Sequence, residues 1–265
     1  MLFWKYQGAG NDFILLDQRE RQWIVRADTA RIRRLCDRHF GIGADGLILL
    51  QNRPGFDFEM VYFNADGRES SMCGNGGRCI AAFAKHLGLI FGHGRFWAID
   101  GEHEARLAHT LPSGEEWVEL KMQNVQHVEK QGDAFVLNTG SPHFVRFVDG
   151  LDNVDMVREG RAVRYAEPFQ AEGINVNLVC AEPSGLSIRT YERGVEDETL
   201  ACGTGVTAAA IAHFLRAGGP PGPAEVSVRA RGGGLAVRFT ARPDGTFTDI
   251  WLCGPAQQVF AGEIE

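Results

Sequence analysis

The chain has 265 residues, 44% of them hydrophobic and 23% charged, which is the balance of a globular protein with one large domain or two modest ones. A formal charge of −7 gives no net attraction for nucleic acid or an anionic membrane surface, so neither is expected as a partner. The longest apolar runs, such as Phe13 to Leu16 and Leu47 to Leu50, are far too short to span a bilayer, and the first residues carry no signal-peptide pattern.

In chain order, Gly8-Ala9-Gly10-Asn11-Asp12-Phe13 opens the first half and runs into an apolar strand ending at Asp17. A helical pattern follows, with Asp28 or Thr29 as its N-cap and Ile32, Leu35, Cys36 and Phe40 on one face. Gly41-Ile42-Gly43-Ala44-Asp45-Gly46 fits the G-x-G-x-x-G dinucleotide fingerprint, but a helix precedes it and the strand Leu47 to Leu50 follows. The fingerprint needs the reverse order, so the segment reads as a glycine-rich turn and no nicotinamide cofactor is expected. Cys73-Gly74-Asn75-Gly76 then leads into a helix-like stretch from Arg78 to Leu87. Strand-like pieces follow at Phe96 to Ile99, through Leu107, and at Trp117 to Met122, parted by the turn signals Asp100-Gly101 and Ser113-Gly114.

The second half repeats this order. Asn138-Thr139-Gly140-Ser141-Pro142-His143-Phe144 opens it, and its apolar strand ends at Asp149 before a helical pattern. A shift of 129 residues then lays Tyr62-Phe63-Asn64 on Tyr191-Glu192-Arg193, Glu69-Ser70 on Glu198-Thr199, and Cys73-Gly74-Asn75-Gly76 on Cys202-Gly203-Thr204-Gly205. Val206 to Arg216 reads as the second helix, the Pro/Gly cluster Gly218 to Pro223 as a loop within this half, and Val226 to Val228, Leu235 to Phe239 and Phe247 to Leu252 as strands. So long a period matches a duplicated domain rather than a solenoid. The fold class expected is α+β, two pseudo-symmetric and mostly antiparallel halves at 1–122 and 123–253, each with a helix against its sheet.

The six cysteines show no C-x-x-C pair, and the eight histidines no H-E-x-x-H, so neither a metal site nor a disulfide scaffold is expected. The compartment expected is the reducing cytoplasm, with Cys36 and Cys180 as small core residues and Cys79 and Cys253 as structural ones. Cys73 and Cys202 differ. A thiol just ahead of a helix start feels the positive end of the helix dipole, which favours the thiolate. Glycines at the next and third positions let backbone N–H groups form an anion-binding nest. Two such thiols in duplicated halves, opposed across a pseudo-twofold axis, suit stereoinversion: one base removes the α-proton from one face while a conjugate acid delivers to the other. The carbanion then needs fixed donors at its carboxylate, which two helix N-termini supply.

The strings Gly8 to Phe13, Phe63-Asn64-Ala65-Asp66-Gly67, Cys73 to Cys79, Tyr191-Glu192-Arg193-Gly194 and Ala201 to Gly205 resemble those of the diaminopimelate epimerases, over nearly the whole chain. The resemblance implies a cofactor-independent isomerase interconverting LL- and meso-diaminopimelate, in lysine and peptidoglycan-precursor synthesis. It implies sheets each wrapped on a central helix, a site in the cleft between the halves, and a C-terminal segment, 254–265, returning to the first half. Carried over by motif, Cys73 and Cys202 are the acid/base pair, and Gly74, Asn75, Gly203 and Thr204 hold the reacting carboxylate. Asn11, Asn64, Asn175, Glu192 and Arg193 bind amino and carboxylate groups, with Ser141 and His143 as further contacts. No metal and no cofactor are implied; a small-molecule substrate is, with a homodimer as the candidate assembly. A substrate with two zwitterionic ends calls for this mixture of Arg, Glu and Asn. Three features depart from the family pattern: Ser141 where Asn is frequent, Gly46 where some members carry Gln, and a Val195 to Glu198 segment one residue longer than in some. Two other classes fit the residues less well. A racemase of proline type would leave Arg193 and Glu192 without a partner, and a non-enzymatic thiol protein would not need two anion nests.

Overall fold

The computed structural model describes all 265 residues, which divide into two compact units: Met1–Leu120 with Gly254–Glu265, and Lys121–Cys253. In the first unit the elements run β1 (Leu2–Gly8), β2 (Asn11–Asp17), α1 (Thr29–Cys36), β3 (Gly46–Gln51), β4 (Phe58–Asn64), β5 (Glu69–Ser70), α2 (Gly74–His86), β6 (His93–Ala98), β7 (Gly101–Thr110) and β8 (Glu116–Lys121). In the second they run β9 (Val128–Gln131), β10 (Ala134–Asn138), β11 (Pro142–Phe147), α3 (Met156–Arg164), β12 (Asn175–Glu182), β13 (Gly185–Glu192), β14 (Asp197–Thr199), α4 (Gly203–Arg216), β15 (Gly222–Ala230), β16 (Gly233–Ala241) and β17 (Phe247–Glu263). The last strand gives residues up to Cys253 to the second unit and the remainder to the first.

The two units share one pairing scheme. In the first, β1 and β2 form a hairpin, β2 pairs parallel with β3, β3 antiparallel with β4, and β4 parallel with β6, which continues antiparallel to β7 and β8. In the second, the same sequence is β10 and β11, then β12, β13, β15, β16 and β17. Each parallel pair needs a crossover, and a helix supplies it: α1 and α2 in one unit, α3 and α4 in the other. The mostly antiparallel, duplicated α+β architecture is therefore present.

α2 and α4 are the central helices. α2 packs against β1, β2, β3 and β7, and every residue from Gly74 to Ala84 is buried. Small residues (Ala81, Ala82, Ala84) let the sheet approach, while Phe83 fills the gap under Trp4 and Tyr6 with ring centroids 4.9 and 5.8 Å away. Full burial of one such ring stabilises by about 1.5–3 kcal/mol. α4 is flatter still, with Ala208, Ala209, Ala210 and Ala212 fully buried against β10 to β13, β15 and β16. α1 and α3 are amphipathic outer helices; α1 is capped by the Asp28 carboxylate, which accepts from the Arg31 N–H.

Three expectations change. α2 and α4 begin at Gly74 and Gly203, not at Arg78 and Val206, because the cysteine itself is the N-cap and the glycines form the first turn. Phe40 is 68% exposed, since α1 ends at Cys36 and the chain turns away before Phe40 can join its apolar face. Cys180 is only partly buried, at the end of β12 where its thiol donates to the Asp149 carbonyl at 3.4 Å.

Candidate functional site

In the first unit, Cys73 stands at the N-cap of α2 with extended backbone, φ −100° and ψ 147°, and its sulfur accepts from the Gly76 N–H at 3.2 Å. That bond and the helix end both favour negative charge on the sulfur. Behind it lies a line of side chains whose ends are fixed by charge. Arg78, wholly buried, donates from Nη2 to Asn75 Oδ1 at 2.9 Å and from Nη1 to the Gly74 carbonyl at 3.2 Å. Asn75 Nδ2 donates to Asn11 Oδ1 at 3.3 Å, and Asn11 Nδ2 donates to Asp45 Oδ2 at 2.6 Å. A guanidinium can only donate and a carboxylate only accept, so the orientation of both amides between them is set.

Asn11 owes its place to the β1–β2 turn, where Ala9 and Gly10 both take positive φ, 52° and 82°, as a tight hairpin requires. Beneath it, Asp12 pairs with buried Lys5 at 2.7 Å and with Arg38 at 2.7 Å, and Arg38 also reaches Asp45 at 2.8 Å. Burial pushes the Asp12 carboxyl up, but hydrogen bonds from Arg38 and Lys5 outweigh it and hold the group well below the usual carboxylate range. Asn64 sits apart from this line: it is exposed and opens the turn closed by the Gly67 N–H on its carbonyl at 2.9 Å. Burial pushes the Cys79 thiol up, so it is an inert neighbour of Cys73.

In the second unit, Cys202 is the N-cap of α4 and is buried, and its sulfur lies 3.4 Å from Thr204 Oγ1. The hairpin between β10 and β11 holds Thr204 twice. Thr139 Oγ1 donates to its carbonyl at 2.8 Å, and His143 Nε2 meets its hydroxyl at 2.9 Å. Burial, aided by the charge of Arg193, pushes the His143 pKa down to about 3, so the ring is neutral. Asn175 is the hub of a second cluster. Its Nδ2 donates to Ser141 Oγ at 2.8 Å and to the Pro142 carbonyl at 2.9 Å, and its Oδ1 accepts the Arg193 N–H at 2.9 Å. The Arg193 guanidinium donates to Ser141 Oγ at 3.3 Å and to the Glu172 carbonyl at 3.1 Å. Burial pushes the neighbouring Glu192 carboxyl up, opposed by a hydrogen bond from Thr199 Oγ1 at 3.0 Å.

The segment Glu192 to Glu196 is a closed turn. The Glu196 N–H bonds the Glu192 carbonyl at 2.8 Å, and Glu196 takes positive φ, 59°, at a cost normally avoided outside Gly and Asn. Its carboxylate compensates by accepting from Tyr165 and Tyr191 hydroxyls at 2.9 and 3.0 Å and from the Gly194 N–H at 3.1 Å. The turn through Glu196 is thus a built anchor for Arg193.

The structure brings Asn11, Cys73, Gly74 and Asn75 together in one unit, and Ser141, His143, Asn175, Arg193, Cys202, Gly203 and Thr204 in the other, with Glu192 adjoining Arg193. Sequence reasoning missed Arg78, Asp45, Thr139, Asn177, Thr190 and Glu196. Arg78 left one signal, a cation just ahead of the apolar run Cys79 to Ala84; Asn177 left another, a second Asn beside the apolar run Leu178 to Ala181. No group of three or more His, Cys, Asp and Glu side chains is arranged to hold a metal ion, and no helix is long and apolar enough to cross a membrane.

Comparison with known proteins adds to this geometry. The family model described as diaminopimelate epimerase matches residues 3–134 and again 135–252, once for each half. The diaminopimelate epimerase of Flavobacterium psychrophilum is 49% identical over 265 residues, covering 100% of both chains. That of Chlorobaculum tepidum is 42% identical, covering 97% of this chain and 98% of its own. Among solved structures, a PhzF-family phenazine biosynthesis protein of Bacillus anthracis superposes with a TM-score of 0.78 at 13% identity, over 100% of this chain and 99% of that one. A hydroxyproline epimerase from Agrobacterium vitis gives 0.68 at 12% identity, over 99% and 91%. At such identities these two structures speak for the fold alone.

Proposed function

The chain belongs to the diaminopimelate epimerase family, and from that premise we propose that it interconverts LL- and meso-diaminopimelate by proton transfer between two cysteines. The observation that carries the reading is the recurrence of one device, a cysteine N-cap followed by a glycine-bearing first turn, at the same step of two identical strand orders.

In the proposed reaction the thiolate of one cysteine takes the α-proton, and the electron pair left on Cα delocalises into the carboxylate. The thiol of the other cysteine delivers its proton to the opposite face and becomes the thiolate. Atoms and charge balance, and the reverse reaction uses the same groups with roles exchanged. The α-proton is a very weak acid, so the carboxylate must be met by donors already in place. The first-turn N–H groups at Gly74, Asn75, Gly203 and Thr204 are those donors. The non-reacting amino-acid centre carries its own carboxylate and ammonium; Arg193 is assigned to the former, and Glu192, Asn11, Asn64 and Asn175 to the polar remainder. Burial raises the Glu192 pKa, which puts a premium on a cationic partner such as an ammonium. Both thiols must be reduced to work, so the cytoplasm is the compartment proposed.

The test is proton NMR of LL-diaminopimelate in heavy water with purified protein, followed by a chiral assay. The reading predicts solvent deuterium at one α-carbon of the inverted product, with proline untouched. Turnover of proline but not diaminopimelate would transfer the assignment to a proline-type racemase.

A further inference from the structure

Five side chains of the second unit form one directed hydrogen-bond chain ending on Cys202. It starts at Thr190, which donates to Asn177, itself wholly buried on β12. The Asn177 amide Nδ2 lies 3.0 Å from the Phe144 carbonyl and 3.1 Å from His143 Nδ1, while its Oδ1 accepts the Thr190 hydroxyl at 3.0 Å. A carbonyl can only accept, so the amide nitrogen must face Phe144, and its second proton then points at His143 Nδ1. That nitrogen must offer a lone pair. The burial that keeps the ring neutral leaves it a single proton, which therefore resides on Nε2 and is donated to Thr204 Oγ1 at 2.9 Å. With its oxygen accepting from His143, the Thr204 hydroxyl has its own proton free for the Cys202 sulfur at 3.4 Å. Gly205 completes the arrangement: a Cβ there would stand 2.6 Å from Asn177 Oδ1 and 3.3 Å from His143 Cε1, so the second glycine of this motif makes room for the chain.

We propose that Asn177 is a positioning residue that, through the His143 ring, fixes the Thr204 hydroxyl as a donor to the Cys202 thiolate. Cys73 accepts a backbone N–H, while the Cys202 sulfur lies against a side-chain hydroxyl whose direction is set two residues away, at Asn177. A donor whose proton is committed in advance does not reorient when the sulfur gains charge, which is where preorganisation lowers a barrier. The inference deepens the proposed epimerase reading and rests on Cys202 as an acid/base thiol.

The test uses no substrate, so its failure is distinct from a failure of the epimerase assay. Iodoacetamide alkylation of each cysteine is followed against pH by peptide mapping in the full chain. Thr204→Val should slow Cys202 alkylation near neutral pH about tenfold, the loss of one hydrogen bond to a charged group. Thr204→Ser should restore it, Asn177→Ala should move Cys202 in the same direction as Thr204→Val, and Cys73 should keep its wild-type profile throughout. A general loosening of the fold would instead alter both cysteines. Nitrogen-15 NMR of the wild-type imidazoles reads the tautomer directly, and should place the His143 proton on Nε2. A proton on Nδ1, or a Cys202 profile unmoved by Thr204→Val, overturns the proposal.

Discussion

Acidification probes how tightly His143 is held as a neutral ring. In the folded chain its pKa is about 3, against 6.5 for an unperturbed histidine, because burial first and Arg193 second disfavour the imidazolium. Between those two values the unfolded chain binds a proton that the folded chain refuses. Stability from the neutral ring is therefore complete above about pH 6.5 and is lost as the pH falls toward about 3, at about 1.4 kcal/mol per pH unit. Going from near pH 7 to near pH 4.5 should remove about 2.5 kcal/mol by this route. Urea midpoints of the wild type and of His143→Gln, taken at several pH values across that range, isolate the contribution. Carboxylates such as Asp12 titrate in both proteins and cancel in the difference. The wild type should lead near neutrality, and its lead should shrink by about 2.5 kcal/mol on acidification. Parallel curves would refute the reasoning, because they would mean that His143 binds its proton equally in both states.

Other consequences are open to direct measurement. With Arg193 holding the distal carboxylate as proposed, Arg193→Ala should lower kcat/KM for diaminopimelate by an amount equivalent to about 2–5 kcal/mol; a near wild-type value would reassign the distal contact. Gly205→Ala forces a methyl to within 2.6 Å of Asn177 Oδ1, so it should destabilise by about 1–3 kcal/mol in urea and slow Cys202 alkylation, with an unaffected protein showing that the space is not needed. Glu196→Ala releases the turn that carries Arg193, and KM should rise about tenfold with a smaller change in kcat. An equal fall in kcat at constant KM would place the turn's effect on the chemical step instead.

Much of this was legible in the sequence because the duplication printed each signal twice. The Asp100-Gly101 and Ser113-Gly114 turns, the strand-like pieces and the two cysteine motifs indicated which elements correspond, and the hairpins at Ala9-Gly10 and at Thr139-Gly140 fall where the glycines mark them. The helix starts were misplaced for a physical reason. Gly74, Gly76 and Gly77 are poor helix formers, so the pattern argued for a loop up to Arg78, yet the cap at Cys73 and burial against the sheet outweigh that propensity. β17 runs unbroken through Gly254-Pro255, where the Pro255 carbonyl takes the Arg78 Nε at 3.5 Å. Phe40 matched the period of α1 without belonging to it. The site's supporting residues were hidden differently. Asn177 and Thr190 carry no motif of their own, and Arg78 stands in the Cys73 to Cys79 string with nothing to mark its partners; their roles follow from which donor faces which acceptor, something no spacing records.

Cys73→Ala and Cys202→Ala, assayed separately from both stereoisomers, decide whether two opposed thiols share one α-carbon. Each variant should keep its fold, since alanine fits the space of a thiol at an N-cap, and each should lose epimerisation in both directions. Near wild-type epimerisation by either variant would contradict the two-base account.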